Sequence, residues 1–143
     1  MFCPRDDLPI LNVRQGTYTS VDWIANSDKI EGGMKDILFI LGAPFPDGGF
    51  EWYCNDCATL EGAMLVNPHW KERIDVRRVA FPRPRKEIVD LVGPDWQGCP
   101  MLVMAKERAP GDAIIVGEYA ILQDVRAIGR ALASRHGGAG PHP

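Results

Sequence analysis

The chain has 143 residues, enough for one ordinary domain with a proper core. Apolar residues make up 45% and charged residues 24%, near globular averages, which argues against wholesale disorder and against a membrane protein. With 16 basic and 19 acidic residues there is no whole-chain electrostatic reason to expect a nucleic-acid partner.

No apolar run is long enough for a transmembrane helix, and the start Met1-Phe2-Cys3-Pro4-Arg5 lacks the basic-then-apolar order of a secretory signal. The expectation is therefore a soluble, cytoplasmic protein. Four cysteines then read as reduced thiols rather than a disulfide scaffold. Residues 1–33 carry scattered apolar positions, among them Trp23 and Ile24, without a sustained period, and end in Glu31-Gly32-Gly33. They read as an extension outside the core: either packed on it through Trp23 and Ile24, or sequence upstream of a natural start at Met34. Cys3 reads as incidental.

From Met34 the signals sharpen. Ile37-Leu38-Phe39-Ile40-Leu41, closed by Gly42 and Pro44, suits a strand buried on both faces. A loop rich in Pro and Gly leads through Trp52 and Tyr53 to Cys54-Asn55-Asp56-Cys57. There a helix begins, with Cys57, Leu60 and Met64 along one face and Asn67-Pro68 at its end. Residues 74–81 form a second strand, broken by Pro82 and Pro84, and Pro84 starts a short helix through Ile88 and Val92 that Gly93-Pro94 terminates.

Gly98-Cys99-Pro100 enters a third strand over 101–105. The turn at Pro110-Gly111-Asp112 joins it to a fourth over 113–116, so these two read as antiparallel neighbours. A last helix carries Ile121, Val125, Ile128 and Leu132 on one stripe, places Arg135 and His136 at its carboxyl end and stops at Gly137. Residues 34–137 are thus the domain, and 138–143 a frayed tail. The order β-α-β-α-β-β-α implies an α/β fold with a parallel core and one antiparallel strand at its side, a mixed four-stranded sheet in all.

This order, with Cys-x-x-Cys after the first strand and a proline just before the third, resembles the thioredoxin/glutaredoxin class over about residues 36–136. In detail it is most similar to an uncharacterised family of bacterial thioredoxin-like proteins. The matching stretches are Tyr53-Cys54 with Cys57-Ala58 and Leu60-Glu61-Gly62, then Pro82-Arg83-Pro84-Arg85, Leu91-Val92-Gly93, and His136-Gly137 with Pro141-His142-Pro143. The resemblance implies a first thiol at Cys54 that attacks a disulfide, a resolving thiol at Cys57, and a cis-proline at Pro100 facing both.

Independently of the resemblance, a helix amino terminus offers unpaired N–H groups and the positive end of the dipole, both of which stabilise a thiolate. Asp56, between the cysteines, opposes that charge, or serves only to stabilise the first helical turn. Cys99 reads either as a small buried residue or as a third sulfur near Cys54. Those sulfurs lack a histidine nearby in sequence to complete a zinc set, so no metal is expected, and His69, His136 and His142 read as surface residues.

Arg73, Arg77, Arg78, Arg83, Arg85 and Lys86 read first as a solvated face. Arg83 and Arg85 also follow the second strand near the expected site, where they can attract an anion such as glutathione. The glutathione signature is incomplete, with only Gly117-Glu118 after the fourth strand. Cys54 and Cys57 are therefore the candidate catalytic residues, and Trp52, Tyr53, Arg83, Arg85, Cys99 and Pro100 the candidate substrate contacts. The expected activity is thiol–disulfide exchange or thiol-based sensing, with a protein or small-molecule disulfide or thiol as partner. A non-catalytic thioredoxin-like binding module is the alternative.

Overall fold

The computed structural model describes residues 33–143. The reading of residues 1–32 as an extension lies outside them. Strand β1 (Ile37–Leu41) shows why its run is continuously apolar. Leu38 and Ile40 face one side of the sheet, where α1 (Asn55–Val66) and α4 (Val125–His136) contribute Leu60, Met64, Ile128 and Leu132. Ile37 and Phe39 face the other side, covered by Ile88 and Val92 of α3 (Lys86–Val92). A strand sealed by helices on both faces has no polar side to alternate with.

Between these elements lie β2 (Phe45–Asp47) and β3 (Phe50–Trp52), the one-turn helix α2 (Trp70–Arg73) and strand β4 (Asp75–Val79). Strand β5 (Met101–Ala105) leads through a 3-10 turn (Lys106–Arg108) to β6 (Ile114–Val116) and β7 (Tyr119–Leu122). Among the described residues the main sheet has five strands in the order β4-β1-β5-β7-β6, with β2 and β3 forming a separate hairpin.

Three features differ from the sequence reading. First, β4 is parallel to β1, but β5 is antiparallel to it, with Phe39 opposite Met101 and Ile37 opposite Val103. The cause is the short crossover. A helix of seven residues spans only about 10 Å, and residues 93–100 bring the chain back to the end of the sheet it had left.

Second, residues 119–122 are a strand, not the first turn of the last helix. Ile121 lies on β7 opposite Val103 on one side and Ile114 on the other. Asp124 caps the helix by accepting the Ala127 N–H at 2.8 Å. The neighbour of β5 is therefore β7, and β6 is the outer strand. Gly117, at φ +60°, makes the turn between them. Ile121 sits at a spacing from Val125 that fits a helix stripe, and the same side chain fits a buried strand equally well.

Third, Gly137 and Ala139 are held by side chains from the segment after α1. The buried Asn67 side chain accepts the Ala139 N–H at 2.8 Å and donates to its carbonyl at 3.1 Å. The indole N–H of Trp70, also buried, donates to the Gly137 carbonyl at 2.7 Å. His69 engages the same carbonyl at 3.1 Å, so it is not a bare surface residue. His136 is also largely buried. With Arg135 it closes on Asp36, the carboxylate just before β1, at 3.0 Å for His136 Nε2 and at 2.6 and 2.7 Å for Arg135.

Candidate functional site

The hairpin of β2 and β3 carries the chain from the end of β1 to the start of α1, and Cys54 is the residue that caps that helix. Its backbone is extended, its carbonyl accepts the Ala58 N–H at 2.9 Å, and its Sγ accepts the Cys57 N–H at 3.4 Å. This is the place a Ser or Asp oxygen usually takes at a helix start. A sulfur there stands at the donors and the positive dipole end that favour an anion.

Cys57 lies one turn further in, only 3% exposed, packed among Leu38, Ile40, Leu60 and Met104. Its Sγ receives the N–H of Leu41, the last residue of β1, at 3.4 Å. Burial pushes the Cys57 thiol up to about 12, with Cys54 and Cys99 adding to the rise and the Leu41 N–H opposing it. Both thiols are free, Cys54 half-buried and Cys57 buried.

The return of the chain into β5 sets Cys99 at the same end of the sheet. It is half-buried and free, and the Cys99–Pro100 peptide is cis. Burial raises its thiol to about 11, Arg85 and Arg83 oppose that rise, and Cys54 adds to it. Among the described residues no group of three or more His, Cys, Asp or Glu side chains is placed to hold a metal ion.

Around the cysteines, Phe50, Trp52 and Tyr53 are 68%, 51% and 64% exposed, an aromatic strip leading straight to Cys54. Phe50 meets Trp52 edge-on at 6.1 Å, and the Trp52 indole N–H donates to the Asp47 carbonyl at 2.8 Å. Phe50 was not among the sequence candidates. Its signal was the Gly48-Gly49 turn with aromatic residues two apart after it, the mark of a hairpin.

Arg83 is exposed, whereas Arg85 is 7% exposed and fully engaged. Its three guanidinium nitrogens donate to the carbonyls of Ala80, Phe81 and Gln97, and its own N–H donates to the Gln97 side chain at 2.8 Å. Arg85 thus ties the loop before Cys99 to the end of β4. Gly98 in that loop approaches Gln123 so closely that a Cβ would stand 2.6 Å from its amide nitrogen.

The family model described as Protein of unknown function (DUF3088) matches residues 35–140. The chain belongs to this family. No curated protein and no solved structure matches it. The DUF3088 match runs from just before β1 to beyond α4, so the three cysteines, Pro100, Arg85 and the aromatic strip all fall within it. Chemically, this site presents a half-buried sulfur at a helix start, a buried second one turn behind it whose proton is firmly held, and a half-buried third in the loop just before β5. No helix among the described residues is long and apolar enough to cross a membrane.

Proposed function

We propose that this domain is a thioredoxin-like thiol–disulfide oxidoreductase in which Cys54 attacks and Cys57 resolves. The observation that carries the reading is the position of Cys54. Its sulfur caps α1 and accepts the Cys57 N–H, while Cys57 itself is buried one turn behind. The order β1, α1, β4, α3, β5, β7, α4 supports the thioredoxin-like part of the reading, since it holds the βαβ unit, the antiparallel pair and the closing helix of that resemblance.

In the reaction the Cys54 thiolate attacks one sulfur of a substrate disulfide, forming a mixed disulfide and releasing one substrate thiolate, which takes up a proton. Cys57 gives up its proton and attacks the Cys54 sulfur, which releases the second substrate thiol. Two electrons pass to the substrate, and Cys54 and Cys57 are left as a disulfide. A low-molecular-weight thiol such as glutathione, in a reducing cytoplasmic setting, returns the pair to the dithiol. The high value of Cys57 makes its deprotonation the step that needs help, and the Leu41 N–H is the donor at hand for the developing charge.

The test uses the full chain and insulin as the disulfide substrate, with glutathione as reductant. Cys54→Ser is expected to abolish reduction. Cys57→Ser is expected to accumulate a mixed disulfide at Cys54, visible by mass spectrometry and cleared by dithiothreitol. An intact, folded protein that neither reduces insulin nor yields the trapped adduct would overturn the proposal. The exposed strip of Phe50, Trp52 and Tyr53 favours a second reading, a binding module that holds a partner without exchange. In that case Trp52→Ala weakens partner capture, while Cys54→Ser leaves it intact.

A further inference from the structure

The last helix and the connection between β5 and β6 line an open cavity of about 340 Å³ with three guanidiniums in its wall, those of Arg108, Arg130 and Arg135. Arg135 holds Asp36, which precedes β1, so this cavity lies toward the opposite end of that strand from the cysteines. The proposed thiol chemistry uses none of these residues.

The three arginines are not equivalent. Arg135 is spent: Nε and Nη2 hold Asp36, and Nη1 donates to the Arg108 carbonyl at 2.8 Å. It is a fixed part of the wall, largely neutralised from behind. Arg108 and Arg130 have their nearest carboxylates, Asp36 and Asp112, at 3.9 Å. That separation exceeds a hydrogen bond. Arg108 gives one N–H to the Met34 carbonyl at 3.1 Å, and about half of each of these two side chains remains exposed. The wall therefore carries two guanidinium forks with donors to spare, beside the exposed Ser134 hydroxyl. Among the described residues lining the wall a single carboxylate, Asp112, stands against them, with Asp36 buried behind Arg108 and Arg135. The rest of the wall is small and apolar, with Pro110 on one side and Ala127 and Ala131 of α4 on the other.

We propose that this cavity binds a small organic anion, a carboxylate or phosphate monoester carried on a compact apolar body. Guanidinium forks match the paired oxygens of such a head and bind them as charge-assisted pairs. Arg108 and Arg130 take the head, Ser134 adds a hydrogen bond, and the body lies on Ala127, Ala131 and Pro110. The volume is at the small end for ligand sites, which suits one ring or a short chain rather than a dinucleotide. Asp112 serves as the counter-ion that the ligand displaces from Arg130.

The experiment titrates the full chain with phenyl phosphate, benzoate and benzyl alcohol, followed by amide shifts in heteronuclear NMR. One of the two anions is expected to saturate shifts at Ala127, Ala131 and Ser134 below about 1 mM, and to bind at least ~10-fold more tightly than the neutral alcohol. Whichever anion binds more tightly identifies the head as phosphate or carboxylate. Arg130→Gln touches no hydrogen bond among the described residues and is expected to weaken binding ~10-fold at an unchanged melting temperature. Arg108→Gln is expected to do the same with a small loss of stability. No saturable shift at those amides, equal binding of benzyl alcohol, or wild-type affinity in Arg130→Gln would each overturn the proposal.

Discussion

Asp36, just before β1, is a buried carboxylate. Its side chain is 1% exposed, and Arg135 and His136 close on it from the far end of the sequence. Burial alone would push its pKa up. The hydrogen bonds from His136 and Arg135, with their charges, outweigh burial and hold it at about 2 instead of the ordinary 3.8. At 1.36 kcal/mol per tenfold change in acidity, that difference favours the folded state by about 2 kcal/mol. Because the folded value lies below the unfolded one, the contribution is fully present above about pH 4 and is lost as the pH falls through about 2. Asp36→Asn removes the charge and leaves Arg135 buried beside a neutral amide, which should cost roughly 3 kcal/mol at pH 7. Urea unfolding of wild type and Asp36→Asn at several pH values separates this carboxylate from the surface acids that both proteins share. Expected is a gap that is widest near neutrality and narrows by about 2 kcal/mol between pH 4 and pH 2. Parallel stability curves across that window would refute the assignment of the buried pair as the source.

Arg85→Ala should destabilise the domain by roughly 1–3 kcal/mol, because the buried Arg85 side chain is the donor to three part-buried backbone carbonyls that lose it. Denaturant melts measure the loss, and faster alkylation of Cys99 is expected alongside as the loop before it loosens. Gly138→Ala should cost roughly 1–3 kcal/mol, since φ is +102° there and a Cβ would fall on the Asn67 side chain. Asn67→Ala, which removes the clamp on Ala139 from the other side, should produce a similar loss, and the double variant should lose little more than either alone.

The main apolar segments were legible because their patterns admit one interpretation. The run from Ile37 to Leu41 is too short for a buried helix and is closed by Gly42 and Pro44, so it could only be a two-sided strand. The helix after Cys54 was equally plain, down to its buried face of Cys57, Leu60 and Met64. The stretch 119–122 was not. Ala120, Ile121 and Leu122 are all buried, and a short run of buried residues carries no period by which a strand can be told from the first turn of a helix. Asp124, a good cap one residue before Val125, was the better boundary signal. The clamp of Asn67 on Ala139 and the pairing of His136 with Asp36 could not be read locally, because these partners lie 72 and 100 residues apart.

The direction of β5 decides what the site can be, and the sequence reading was inconsistent with itself on this point. A parallel core puts the start of every strand at the end of the sheet away from Cys54. Cys99 and Pro100, at the start of the third of its strands, would then have stood a full strand length from the thiols they were expected to face. The antiparallel entry, with Met101 opposite Phe39, removes the conflict. It brings the amino end of β5 to the carboxyl end of β1, where Leu41 donates to Cys57 and Cys54 caps α1. The length of α3 is what makes this geometry. Seven helical residues cover the face over Phe39 and Val103 without carrying the chain to the far end, and Arg85 pins the return loop through Gln97. Lengthening α3 by a turn would press that loop outward and draw Cys99 from Cys54. The placement of Cys54, Cys57 and Cys99 at one end of the sheet thus follows from a short crossover, not from the spacing of the cysteines along the chain.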